Sequence, residues 1–142
     1  MNELEKKSIR QAVRDSYGKI AESKTPGCNC QGEACCGSSN SGSAEGISMA
    51  LGYSGEEVHA VPDGSNMGLG CGNPQAIAGL KTGETVLDLG SGGGFDAFLA
   101  ARQIGESGKV IGVDMTPEMI SRSRANAENG GMLCRCVNDF RS

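Results

Sequence analysis

A strand, a glycine-rich turn and a second strand that ends in an acid constrain this chain more than any other feature. Residues 86–94 read Val-Leu-Asp-Leu-Gly-Ser-Gly-Gly-Gly, and residues 110–114 read Val-Ile-Gly-Val-Asp. The apolar runs predict a buried strand at 84–89, a helix over 95–104 and a second strand at 109–114. Such a unit forms adjacent parallel strands with a right-handed crossover. We therefore predict an α/β fold built on a βαβ unit.

The same segment predicts a nucleotide-type binding site. Glycines let the backbone turn tightly and approach a ligand closely, and the N-terminus of the next helix offers N–H donors. Asp114 lies twenty residues after Gly94, where an acid can accept hydrogen bonds from ribose hydroxyls. The glycine spacing is Gly90-x-Gly92-x-Gly94 and Asp88 precedes it, which differs from the G-x-G-x-x-G of dinucleotide sites. The alternative is a glycine-rich turn without a ligand.

Capping and breaking signals place further helices along the chain. Apolar residues at near-helical spacing predict an amphipathic helix over 2–22, whereas glycine, serine and asparagine predict no regular structure over 25–42. The remaining predicted helices are one capped by Ser43 that reaches Leu51, one with a capping box from Ser54 to Glu57, one from Asn73-Pro74 to about Leu80, and one over 117–129.

Composition excludes several classes of protein. The chain has 142 residues and a formal net charge of −4, so it suits one domain at most and argues against nucleic acid as a partner. It shows no signal peptide and no apolar run long enough for a membrane span. We expect a cytoplasmic protein, with its seven cysteines mostly reduced.

The cysteines fall into three groups. Cys28, Cys30, Cys35 and Cys36 lie in the glycine-rich loop, Cys71 lies before the first strand, and Cys134 and Cys136 lie near the end. Thiolates select soft, thiophilic elements, but these spacings fit a structural zinc site poorly. The alternative for the loop cysteines is that they are incidental thiols in a disordered segment, and the alternative for Cys71 is a small buried residue. We expect His59, the single histidine, to be an ordinary surface residue.

Several motifs together resemble a known family. The Asp-x-Gly-x-Gly-x-Gly at 88–94 resembles motif I of the class I S-adenosylmethionine-dependent methyltransferases. Over about residues 10–131 the chain resembles the N-terminal half of microbial arsenite methyltransferases. The motifs that carry this resemblance are Tyr17-Gly-x-Ile20, Cys35-Cys36, Leu51-Gly-Tyr53-Ser54, Val61-Pro62, Asn66-x-Gly-Leu-Gly-Cys-Gly-Asn-Pro74, Phe95-Asp96 and Gly112-Val-Asp-Met-Thr-Pro-Glu-Met119.

The resemblance implies a reaction and its residues. Arsenic(III), supplied as a thiol adduct, would be held by cysteine thiolates and accept a methyl group from S-adenosylmethionine, with thioredoxin or glutathione as reductant. Cys71 would be an arsenic-site or redox cysteine, with Cys35 or Cys36 as its partner. Cofactor contacts would come from the methionine-end residues Asp88, Gly90, Gly92 and Gly94, from Asp114 at the ribose, and from Met115 at the adenine.

The chain also departs from that family. The second half of the methyltransferase domain, with two further arsenic-binding cysteines and strand 4, is absent, and residues 132–142 match no family motif. We expect a truncated, impaired enzyme, with a helical, Cys-rich region at 1–83 and a partial Rossmann-like domain of two or three strands at 84–142. Without strand 4, the exposed first strand invites self-association. Two other functions stay open, namely another small-molecule methyltransferase and a non-catalytic thiol-rich protein that binds arsenite or a soft metal.

Overall fold

The computed structural model describes residues 2–23, 43–132 and 137–141. The predicted unstructured segment at 25–42 and the six cysteines other than Cys71 lie outside the described residues. The elements in chain order are α1 (Glu3–Glu22), α2 (Ala44–Ala50), α3 (Gly55–His59), α4 (Gln75–Ala78), β1 (Thr85–Leu89), α5 (Phe95–Ile104), β2 (Lys109–Val113), α6 (Pro117–Asn129) and β3 (Val137–Arg141).

The strands form one parallel sheet in the order β1-β2-β3. β1 and β2 are adjacent, with Thr85 opposite Lys109 and Leu89 opposite Val113, which confirms the predicted βαβ unit. β3 pairs with the other side of β2, with an irregularity in register between Val110 and Ile111. The carboxyl ends of β1 and β2 therefore lie side by side, and β1 and β3 are the two edge strands of the described sheet.

The main core lies between the sheet and the two helices α5 and α6. Phe98, Ile104 and Val110 are completely buried there, and Ile120 of α6 packs with them. Val86 of β1 packs against the same cluster. Three alanines of α5 are buried in the same cluster, namely Ala97, Ala100 and Ala101.

The prediction that β1 is buried is wrong. Leu87 is 58% exposed and Leu89 is 74% exposed, because alternate side chains point to opposite faces of a strand. Val86 faces the helices, whereas the leucines face the side of the sheet that no described element covers. An apolar run of five residues cannot by itself distinguish a strand covered on both faces from one covered on a single face.

The capping signals in the sequence predict the starts of α2 and α3 correctly. The Ser43 side chain caps α2, and Ser54 and Glu57 form both halves of the predicted capping box at α3. The Asn73 side chain accepts a hydrogen bond from the backbone amide of Ala76 at the start of α4. That helix ends at Ala78 rather than near Leu80, because Gly79 adopts a left-handed φ of 57°.

α1 is confirmed as a helix and is fastened to α6 at its C-terminal end. Its buried residues are Gly18 and Ala21. The Arg122 guanidinium of α6 donates hydrogen bonds to the carbonyls of Ala21 and Ser23, 2.9 and 3.1 Å away. None of the helices in the described ranges is both long enough and apolar enough to cross a membrane.

Candidate cofactor and thiol site

The glycine-rich turn after β1 has the backbone that its sequence requires. Gly90, Gly92 and Gly94 have φ values of 81°, 51° and 97°, a region that side chains disfavour. Gly93 is needed for a different reason, since a Cβ atom there would stand 2.9 Å from the backbone oxygen of Ser65. The turn thus packs directly against the loop that leads to Cys71.

Hydrogen bonds tie this turn to the end of β2. The amides of Gly90 and Ser91 donate to the carbonyl of Val113 at 2.7 and 3.0 Å. The Asp114 carboxylate accepts from the amide of Gly92 at 3.0 Å and from that of Thr116 at 2.9 Å. These amides are engaged in ordering the turn, so side chains carry more of any ligand recognition than the sequence pattern alone indicates.

Two cavities meet at the turn, since both are lined by Leu69, Gly90 and Gly92. The smaller, about 120 Å³, is also lined by acidic and small polar side chains, among them Asp88, Ser91, Asp96, Ser48 and Ser65. The larger, about 430 Å³, is lined mainly by apolar groups, namely Tyr17, Val113, Met115 and Met119, together with Asp114 and Thr116. Its volume lies within the range of about 300–1,000 Å³ typical of small-molecule sites.

The smaller cavity offers polar atoms that have no protein partner. Among the described residues, Oδ2 of Asp88 and Oγ of Ser91 are buried and make no hydrogen bond. A buried acceptor of this kind costs free energy unless a donor reaches it. The unmatched carboxylate oxygen therefore favours a ligand that carries a cationic donor.

The electrostatics of the acidic residues agree with that interpretation. Burial first, and then the carboxylates of Asp96 and Asp114, raise the pKa of Asp88 from 3.8 to about 6. Burial also raises the pKa of Asp96, although hydrogen bonding by Tyr53 and Gln75 opposes this shift. A cation placed among these carboxylates would relieve their repulsion.

Cys71 is an exposed free thiol, so the alternative that it is a small buried residue is wrong. The preceding segment, from Ser65 to Gly70, forms one wall of the smaller cavity. The structure therefore brings residues 65–72, the Cys71 segment, next to the glycine turn. Cys35 and Cys36 lie outside the described residues. Within the described ranges, no three His, Cys, Asp or Glu side chains cluster closely enough to hold a metal ion.

The remaining predicted residues stand as follows. Met115 is 46% exposed and lines the larger cavity beside Asp114. His59 is exposed, and its Nδ1 donates to the carbonyl of Gly55 at 2.6 Å, as expected of a surface histidine. Sequence reasoning assigned no role to Tyr17, Tyr53, Ser91 or Asp96. All four nevertheless lie within motifs that carry the family resemblance, and those motifs are the sequence signal that points to them.

Sequence comparisons show that this chain is similar to known methyltransferases. The family model described as a methyltransferase domain matches residues 80–136. An arsenite methyltransferase from Halobacterium salinarum is 50% identical over 126 residues, covering 82% of this chain and 31% of that protein. A second arsenite methyltransferase, from Aquipseudomonas alcaligenes, is 32% identical over 120 residues, covering 84% of this chain and 31% of its own length.

Among solved structures, an arsenic(III) S-adenosylmethionine methyltransferase from Chlamydomonas reinhardtii is 32% identical, with a TM-score of 0.44, covering 68% of this chain and 31% of that one. The present chain spans about a third of the length of the curated relatives that it matches.

Proposed function

We propose that this chain is an S-adenosylmethionine-dependent methyltransferase that serves methyl transfer to arsenic(III) held by cysteine thiolates, because it is similar to arsenite methyltransferases over most of its length and its residues 80–136 match a methyltransferase domain. One observation carries the proposal. The loop that leads to Cys71 lines the same cavity as Asp88, whose Oδ2 is buried without a hydrogen-bond partner. In our proposal, a thiol-bound substrate and a cationic cofactor meet at this cavity.

The residues present fit S-adenosylmethionine. The bound cofactor supplies an electrophilic methyl group on a sulfonium and carries an ammonium, a carboxylate, a ribose and an adenine. In our proposal Asp88 accepts from the ammonium and Asp114 accepts from the ribose hydroxyls. Met115 packs on the adenine, and Gly90, Gly92 and Gly94 allow the close approach. The two oxygens of Asp114 each accept one amide, and a carboxylate oxygen has capacity for a second donor.

On the thiol side, we assign Cys71 and either Cys35 or Cys36 as ligands of arsenic(III). A thiolate is a soft ligand and suits a thiophilic element. The role of the protein would be to hold the substrate so that arsenic faces the methyl group, since alignment of reacting atoms supplies much of such a rate enhancement. A cellular thiol such as thioredoxin or glutathione would keep the cysteines reduced, which is consistent with a cytoplasmic location. We also propose that the chain divides into a helical, Cys-rich region at 1–83 and a partial methyltransferase domain at 84–142.

Two measurements test the proposal. The first is arsenite binding by Cys71→Ser, with Cys136→Ser as a matched control outside the family motifs. We expect at least about tenfold weaker arsenite binding for Cys71→Ser, a loss of about 1.4 kcal/mol, and unchanged binding for the control. Equal loss in both variants, or in neither, would favour another small-molecule methyltransferase with incidental cysteines.

The second measurement is transfer of a labelled methyl group from S-adenosylmethionine to arsenite. Labelled methylarsenic species that depend on Cys71 would support the proposal. Arsenite binding without cofactor binding or transfer would instead indicate a thiol-rich protein that sequesters arsenite.

A further inference from the structure

The Tyr53 hydroxyl lies between the backbone of Gly72 and the carboxylate of Asp96, which lines the smaller cavity. Its oxygen is 2.7 Å from Oδ1 of Asp96 and 3.1 Å from the carbonyl oxygen of Gly72. Asp96 lines the smaller cavity, whereas Gly72 directly follows Cys71. One side chain therefore connects the backbone next to the thiol with a carboxylate that faces the proposed cofactor.

The position of this hydroxyl is set by burial of its ring. Tyr53 is only 5% exposed and packs with Val58 and Leu99 in an apolar cluster. Its ring meets that of Phe95 edge to face, with centroids 4.9 Å apart and planes inclined at 67°. Because the ring is held from several sides, the hydroxyl has little freedom to leave the two acceptors.

Two further hydrogen bonds hold the residues directly after the Cys71 segment. The Asn73 amide donates to the carbonyl of Gly52 at 3.1 Å, and the Gln75 amide donates to the backbone oxygen of Asp96 at 3.1 Å. The residues that follow Cys71 are thus fastened both to the turn that carries Tyr53 and to the start of α5. The Tyr53 side chain contacts both the residue after Cys71 and the first turn of α5.

We propose that Tyr53 is a positioning residue, whose hydroxyl links the Cys71 segment to Asp96 at the edge of the smaller cavity. This inference rests on the proposed function for its meaning, since Cys71 is there an arsenic ligand. Tyr53 also lines the smaller cavity, but the role proposed here is to position the Cys71 segment.

The Tyr53 hydroxyl has two acceptors within reach but only one proton to donate. A phenol has one proton, so it can donate to Asp96 or to Gly72 but not fully to both. An ionised carboxylate is the stronger acceptor, and the shorter distance is the one to Asp96. When positive charge or a competing donor satisfies Asp96, the phenolic proton becomes available to Gly72 and the Cys71 segment is held more tightly. The charged and polar groups that face this pair are Asp88, Glu57 and Gln75.

The test is the rate at which iodoacetamide alkylates Cys71, followed by peptide mass spectrometry without cofactor or arsenite. Tyr53→Phe keeps the ring but removes the hydroxyl and with it the partial hydrogen bond to Gly72. We therefore expect alkylation about threefold faster, a smaller effect than the loss of one full hydrogen bond. Asp96→Asn supplies an amide that donates to the phenol, and we expect slower alkylation in the Tyr53 background. Combined with Tyr53→Phe, the same change should have no effect.

Ser54→Ala is the structural control, because it removes the cap of α3 beside Tyr53 and leaves the hydroxyl in place. We expect its alkylation rate to match that of the wild type. Wild-type rates in Tyr53→Phe, or an Asp96→Asn effect that is the same in both backgrounds, would overturn the inference. If Tyr53→Phe does not fold, as judged by circular dichroism, the sign of the Asp96→Asn effect alone decides. Failure of the proposed function shows separately, as absence of S-adenosylhomocysteine binding in calorimetry.

Discussion

Asp114 accepts a hydrogen bond of 3.0 Å from the backbone amide of Gly92, which joins the end of β2 to the turn after β1. Its second oxygen accepts from the amide of Thr116 and so shapes the entry into α6. Asp114 therefore orders the turn of the proposed cofactor site in addition to its proposed contact with the ribose.

We predict that Asp114→Ala weakens binding of S-adenosylhomocysteine by at least about tenfold, because charge-assisted hydrogen bonds contribute about 1.5–3 kcal/mol each. Isothermal titration calorimetry measures this change. Asp114→Asn is the matched variant, since it keeps an acceptor oxygen but loses the charge, and its affinity should lie between the two. Equal affinity in the wild type and Asp114→Ala would contradict the assignment of Asp114.

Asp88 should make the protein less stable as the pH rises. Its pKa is about 6 in the folded chain against 3.8 ordinarily, so the folded state binds the proton more tightly. Stability from this group is then fully present below about pH 4 and is lost as the pH rises through about 6, a cost of up to about 3 kcal/mol.

Asp88→Asn should accordingly raise the free energy of unfolding near pH 7 and leave it nearly unchanged near pH 4. Urea denaturation at several pH values tests this expectation, with the exposed residue changed in Asp63→Asn as the control. A wild-type stability that rises between pH 4 and pH 7 by the amount attributed to Asp88 would reverse the sign of the argument.

The same carboxyl predicts pH-dependent cofactor binding. An ammonium pairs with the ionised form of Asp88, and with a pKa of about 6 that form is scarce at pH 5 and dominant at pH 7. We expect S-adenosylhomocysteine to bind about tenfold more weakly at pH 5 than at pH 7. In Asp88→Asn the affinity should be lower and the profile flat. A wild-type affinity that does not change over this range would show that Asp88 does not contact the ammonium.

We predict that the protein self-associates through the edge of β1. In the described sheet the outer side of β1 pairs with no strand, and Leu87 beside it is 58% exposed. Unpaired edges with apolar neighbours invite pairing with another chain, and a charge on the edge opposes it. We expect oligomers of the wild type in size-exclusion chromatography with light scattering, and a shift toward monomer in Leu87→Lys.

Ile77→Lys is the control for this prediction. Ile77 is 87% exposed but lies on α4, away from the strand edge. The same charge placed there should leave the association unchanged. A monodisperse wild-type monomer with a cooperative thermal transition would show that β1 does not drive association.

Most of the secondary structure was accessible from the sequence because its signals are local. The Ser54 capping box, the proline at the start of α6 and the apolar period of α5 each lie within one or two helical turns. The sequence predicts α4 to be longer than it is, because Gly79 adopts a left-handed conformation and ends the helix earlier than the apolar pattern indicates.

The βαβ unit, the glycine turn and the family that the motifs resemble can be predicted from the sequence, since they depend on the order and spacing of residues along the chain. The environment of each residue depends on the tertiary fold. The exposure of Leu87, the raised pKa of Asp88 and the bond between Tyr53 and Asp96, 43 residues apart, arise from which surfaces meet. Burial and electrostatics depend on neighbours in space, and the linear pattern carries that information only indirectly.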